Sequence, residues 1–243
     1  MKALVTGGAS GIGAACARAL AEQYAAAVVV ADRDGVAAKS VANEIGGDAW
    51  EVDLADVTVL EKLRLDADIL VNCAGVQNVA PVESFPPETF RRMHRLMVEA
   101  PFLLMRAALP SMYERGFGRI INISSIHGTR ASAYKSAYVS AKHALEGLSK
   151  VVALEGGSRG VTSNCVSPGY VRTPLVENQI ADQARLHGLD HSAVVADVLL
   201  ARSAVKQLVE PEEVAALVAW LASAQAGSVS GASFTMDGGW SAS

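Results

Sequence analysis

The sequence predicts an α/β protein, a single doubly wound domain over residues 1–243 with a central parallel sheet flanked by helices. Three observations support this. Short apolar runs alternate with helical patterns from Ala3 to Asp237. A glycine-rich stretch, Thr6 to Gly13, falls between the first such run and an alanine-rich helix. No repeat or linker divides the chain.

With 51% hydrophobic and 19% charged residues, the chain can bury a large core, and its net charge of -4 offers no basic field for nucleic acid. Apolar runs such as Tyr24 to Ala31 fall far short of the about 20 residues a membrane helix needs. Met1 and Lys2 lead straight into an apolar strand, which argues against a secretory leader. Cys16, Cys73 and Cys165 are widely spaced in apolar contexts and read as reduced core residues of a cytoplasmic protein. No histidine pairs with a cysteine at ligand spacing, so no metal is expected.

In chain order, Ala3 to Val5 read as a strand, Thr6 to Gly13 as a turn and Ala14 to Gln23 as a helix. Glycines there let backbone approach a pyrophosphate, whose charge meets the positive end of the helix; a plain tight turn would use the same residues, and their placement between strand and helix decides for cofactor binding. Ala26 to Ala31 form the second strand, with Asp32 just after it. A carboxylate in that place accepts both ribose hydroxyls and repels a 2′-phosphate, which favours NAD over NADP, although Arg33 stands beside it. Asp34 caps a helix to about Ile45, Ala49 to Val52 make a strand that ends in Asp53 and Leu54, and Ile69 to Val71 enter Asn72–Gly75. Pro86 and Pro87 precede a helical pattern from Glu88 to Met112. Beyond Arg119 come the β-rich Ile120, Ile121 and Ile123, a polar turn from Ser124 to Gly128, and a helix from about Ser136. Gly160 to Val166 form the sixth strand, residues 174–206 a helical lid broken by His187, Gly188 and His191, and Glu210 and Pro211 open another helix. Ala232 to Asp237 make the last strand.

Tyr138 and Lys142 lie four apart, on one helical face. A tyrosine of pKa about 10 is a poor base at neutral pH, and an ammonium one turn away favours the phenolate. Ser125, at the end of the preceding strand, can hydrogen-bond the same substrate oxygen.

In this order, Thr6–Gly13, Asn72–Gly75 and the Ser125, Tyr138, Lys142 set resemble the short-chain dehydrogenase/reductase family over nearly the whole chain. The resemblance implies a Rossmann fold, catalysis by Ser125, Tyr138 and Lys142, and a homotetramer. It implies dinucleotide contacts from Gly7, Ser10, Gly11, Ile12 and Gly13 in the first turn, Asp32 at the ribose, and Asp53 and Leu54 at the adenine. It further assigns cofactor contacts to Asn72, Ala74, Gly75, Tyr138, Lys142, Pro168, Gly169, Val171 and Thr173. One residue departs from the pattern: Met97 stands where the family usually has an asparagine whose main-chain carbonyl holds a water near the lysine, so that role needs a local helix distortion. A narrower resemblance, to the D-3-hydroxybutyrate dehydrogenases of this family, implies that Gln77, His127, Lys135 and Gln179 bind a substrate carboxylate. Leu175 and Trp240 would then form an apolar wall, with Tyr170 beside them. A reductase of 3-oxoacyl thioesters and a catalytically weak dinucleotide sensor are the competing expectations.

Overall fold

In the computed structural model, which describes residues 1–174, 176–177, 180, 184 and 190–242, each short apolar run is a strand. These are β1 (Lys2–Thr6), β2 (Ala27–Asp32), β3 (Asp48–Glu51), β4 (Ile69–Asn72), β5 (Gly118–Ile123), β6 (Val161–Pro168) and β7 (Ser233–Met236). They form one parallel sheet in the order β3-β2-β1-β4-β5-β6-β7. Every residue of β5 and β6 is buried, as expected where helices cover both faces.

Helices α1 (Gly11–Tyr24) and α2 (Gly35–Ile45) follow β1 and β2. Leu20 of α1 packs with Val214, Val218 and Leu221 of a late helix, Pro211–Ala222, on one face of the sheet. On the other face, Leu104, Met105 and Met112 pack with Val152 of α5 (Ser136–Gly156). β1 lies between β2 and β4, so successive crossovers run to opposite sides and open a crevice at the carboxyl ends of β1 and β4.

Two expected elements differ in outline. α1 begins at Gly11, three residues before the expected Ala14: Gly11 itself has φ +51°, and the helix takes in Ile12 and Gly13 before the alanine run. The expected continuous helix over 88–112 is instead α3 (Pro87–His94), a π-helical turn (Arg95–Glu99) and α4 (Ala100–Arg115). Pro101 has no N–H, so the Met97 carbonyl is denied its i+4 donor, and the wider turn relieves that break. Met97 is buried within it. Leu175, Gln179, His187 and Gly188 of the expected lid lie outside the described residues.

Candidate active site

One cleft of about 500 Å³ runs across the carboxyl edge of the sheet. It is lined by Gly7, Ser10, Gly11, Ile12, Gly13, Asp32, Asp53, Leu54, Ala74, Gly75, Pro168, Gly169, Val171 and Thr173 towards one end. Gln77, Ser125, His127, Lys135, Tyr138 and Lys142 line it towards the other.

The first end is a matter of backbone. A Cβ at Gly13 would stand 2.1 Å from the Gly7 carbonyl oxygen, and one at Gly7, which has φ +63°, would stand 2.9 Å from the Ala74 Cα. Only glycines allow the two loops to pack so closely. Thr6 fixes their relation: its Oγ1 accepts the N–H groups of Cys73 and Ala74 at 3.0 and 3.1 Å. Ser10, the N-cap of α1, makes no side-chain capping bond, so the helix terminus is open to an anionic ligand. At the rim the Asp32 carboxylate is oriented by the N–H groups of Ala9 (3.2 Å) and Asp34 (3.1 Å). Asp53 accepts the Ala55 N–H at 2.9 Å and faces Arg92 of α3 at 3.1 Å. This open, glycine-floored cradle with a carboxylate at its rim fits a dinucleotide.

Of the expected dinucleotide contacts, Asn72 is the one absent from the lining of the cleft. It is buried inside the sheet, and its Nδ2 donates to the Asn122 side chain on the neighbouring strand at 2.9 Å. It ties β4 to β5 beneath the cleft. Gln179 lies outside the described residues.

The second end is a matter of side chains. Ser125 follows β5, and its Oγ accepts the His127 N–H at 3.2 Å. The His127 ring spans two hydroxyls, with Nδ1 3.4 Å from Ser125 Oγ and Nε2 2.9 Å from Ser132 Oγ. Burial, then the nearby Lys135 charge, bring its pKa down to about 4, so the imidazole is neutral at pH 7. Lys135 stands 5.9 Å from the Tyr170 ring centre, and burial lowers its pKa. The Gln77 Nε2 is buried with no hydrogen-bond partner among the described residues. Trp240 packs beside His127, with ring centres 6.3 Å apart, and is not among the residues lining the cleft, whereas Tyr170 is.

Lys142 donates to the Ile123 carbonyl at 2.7 Å, and its Nζ is 5.6 Å from the Tyr138 ring centre. Burial raises the Tyr138 pKa, against a lowering hydrogen bond from Ser125. Burial also draws Lys142 down to about 8. A Cβ on Gly75 would lie 3.5 Å from the Met97 sulfur and 3.9 Å from the Lys142 ammonium, so both side chains reach the Gly75 backbone.

Thr6, Arg92 and Ser132 were not foreseen in these positions. Thr6 opens the glycine motif and was legible as a candidate, whereas no sequence signal pairs Ser132 with His127 or Arg92 with Asp53.

A parallel sheet with a glycine-floored crevice, beside a serine, a tyrosine and a lysine, defines a dinucleotide-dependent oxidoreductase. The family profile described as enoyl-(acyl carrier protein) reductase matches residues 7–241. The D-beta-hydroxybutyrate dehydrogenase of Rhizobium meliloti is 42% identical over 253 residues, covering 99% of this chain and 98% of that protein. The enzyme of the same name from Cupriavidus necator is 41% identical, covering 98% and 96%. The acetoacetyl-CoA reductase of Rhizobium meliloti is 35% identical, covering 98% and 97%. Among solved structures, a candidate NAD(P)-dependent gluconate 5-dehydrogenase of Beutenbergia cavernae, with NADP bound at low occupancy, superposes with a TM-score of 0.88 at 34% identity, covering 100% and 97%. The chain belongs to the short-chain dehydrogenase/reductase family of NAD(P)-dependent oxidoreductases.

Proposed function

We propose that the protein is an NAD-dependent dehydrogenase that interconverts a short D-3-hydroxy acid, 3-hydroxybutyrate, and its 3-oxo acid, acetoacetate. The observation that carries this reading is the convergence of Lys135, His127 and the unpartnered Gln77 amide on the end of the cleft that holds Ser125 and Tyr138. A cation with neutral hydrogen-bonding groups around it, partly withdrawn from water, suits a small carboxylate, because leaving such groups unpaired is costly. Two relatives bearing the name D-beta-hydroxybutyrate dehydrogenase support the same substrate.

Bound NAD would supply the hydride acceptor, held by the glycine turn, Asp32 and the loop from Pro168 to Thr173. Lys135, Gln77 and His127 hold the carboxylate, with Gln179 as a fourth candidate, and Ser125 holds the reacting oxygen. In oxidation Tyr138 removes the hydroxyl proton as its carbon gives up hydride. In reduction the same phenol, kept protonated by burial, is the acid that protonates the carbonyl oxygen. Lys142 stabilises the phenolate whenever the proton has left. Asp32 favours NAD, since its carboxylate opposes a 2′-phosphate.

We further infer a cytoplasmic homotetramer. Phe102 of α4 and Val151 and Leu154 of α5 are exposed apolar residues suited to burial between subunits.

The acetoacetyl-CoA reductase relative supports a second reading, reduction of a 3-oxoacyl thioester with NADPH. A panel of short 2-, 3- and 4-hydroxy acids assayed with NAD and NADP, alongside acetoacetyl-CoA with NADH and NADPH, separates the two. The highest kcat/KM is expected for D-3-hydroxybutyrate with NAD; a higher value for the thioester with NADPH would overturn the assignment.

A further inference from the structure

Lys142 and Glu146 stand one turn apart on α5, and both are buried, at 4% and 5% exposure. The Glu146 Oε1 accepts the Ser167 hydroxyl from β6 at 2.9 Å and the Ser233 hydroxyl from β7 at 3.0 Å. Those two hydroxyls are 2.9 Å apart. Gly128, after β5, closes a third side: a Cβ there would lie 2.9 Å from the Glu146 Cγ.

A buried ammonium needs a counter-charge. The titratable groups that face Lys142 are Tyr138 and Glu146 on its own helix, Cys73 after β4 and Cys165 on β6. Burial pushes both thiols up to about 12, so neither carries charge at neutral pH. The Tyr138 phenol is raised as well. Glu146 is left as the anion acting on the lysine. Around Glu146 itself stand Ser167, Ser233, Cys165 and Lys142, of which only Lys142 is a cation.

We propose that Glu146 is a positioning residue for the reaction: fixed by Ser167 and Ser233, it keeps the Lys142 ammonium charged beside Tyr138 without touching substrate or dinucleotide. This rests on the roles given above to Tyr138 and Lys142. Loss of the carboxylate removes an opposite charge one turn away in a buried setting, which lowers the pH at which Lys142 gives up its proton.

The test is the pH profile of kcat/KM together with a ¹⁵N-lysine NMR titration of Lys142 in the dinucleotide-free protein. Glu146→Gln should move the alkaline limb and the Lys142 midpoint down by about one pH unit, as expected for loss of one nearby opposite charge. Glu146→Asp should restore both. A Glu146→Gln enzyme that keeps the wild-type limb and midpoint would overturn the proposal, even if its Tm fell. Should that variant fail to fold, Ser233→Ala removes one of the carboxylate's anchors. A downward shift of smaller size is expected, and none at all would equally overturn it. Tyr138→Phe, assayed in parallel, separates the two levels. If it retains turnover, the catalytic reading falls, while the titration still decides whether Glu146 acts on Lys142.

Discussion

At the glycine-lined end, the cleft is shaped by main chain: Gly13 against the Gly7 carbonyl, Gly7 against Ala74, and Thr6 holding the two loops together through N–H groups. At the other end, it is shaped by the side chains of Gln77, Ser125, His127, Lys135 and Tyr138, brought together from loops beyond β4 and β5 and from the start of α5. At the second end burial moves His127, Lys135, Tyr138 and Lys142 all away from their ordinary pKa values. A site made from backbone tolerates any side chain that keeps clear of it, and a site made from buried side chains depends on their charge states.

The sharpest break between the two ends is Tyr138→Phe. It should lower kcat by about 10³-fold, within the range for loss of a general acid or base, while NADH affinity measured by fluorescence stays within about twofold. Gly13→Ala should do the reverse. Its methyl group has no room beside Gly7, so dinucleotide affinity should fall by about 100-fold, an about 2.7 kcal/mol loss, while a calorimetric scan shows a lowered Tm. Asp32→Ala is a smaller effect at the same end. It should narrow the NAD-over-NADP ratio of kcat/KM by about tenfold, equivalent to about 1.4 kcal/mol; an unmodified enzyme that prefers NADP would show that the carboxylate does not face the ribose.

The glycine-lined end was the more legible in the sequence because close backbone approach demands glycine, and glycines at fixed spacing after an apolar run stand out. Even there the sequence does not show that the Asn72 amide donates to Asn122 within the sheet, since that pairing depends on which strands lie side by side. The strands were legible to within about a residue or two because a parallel sheet covered on both faces leaves continuous apolar runs. The break in the long helix was foreseen only as a condition on Met97; its cause, the missing N–H of Pro101, is local and was readable. The side-chain end was legible as residue types alone. That His127 lies between Ser125 and Ser132, and that burial outweighs the Ser125 hydrogen bond in raising the Tyr138 pKa, depend on packing that no spacing records.

The central claim is that Lys135 selects the substrate by its charge. The direct measurement is the effect of Lys135→Ala on kcat/KM for D-3-hydroxybutyrate compared with a neutral secondary alcohol of the same length, at one pH and saturating NAD. A hydrogen bond to a charged group is worth about 1.5–3 kcal/mol, so the loss for the carboxylate should be about 10- to 100-fold and that for the alcohol less than about threefold. Equal losses for both substrates would contradict it.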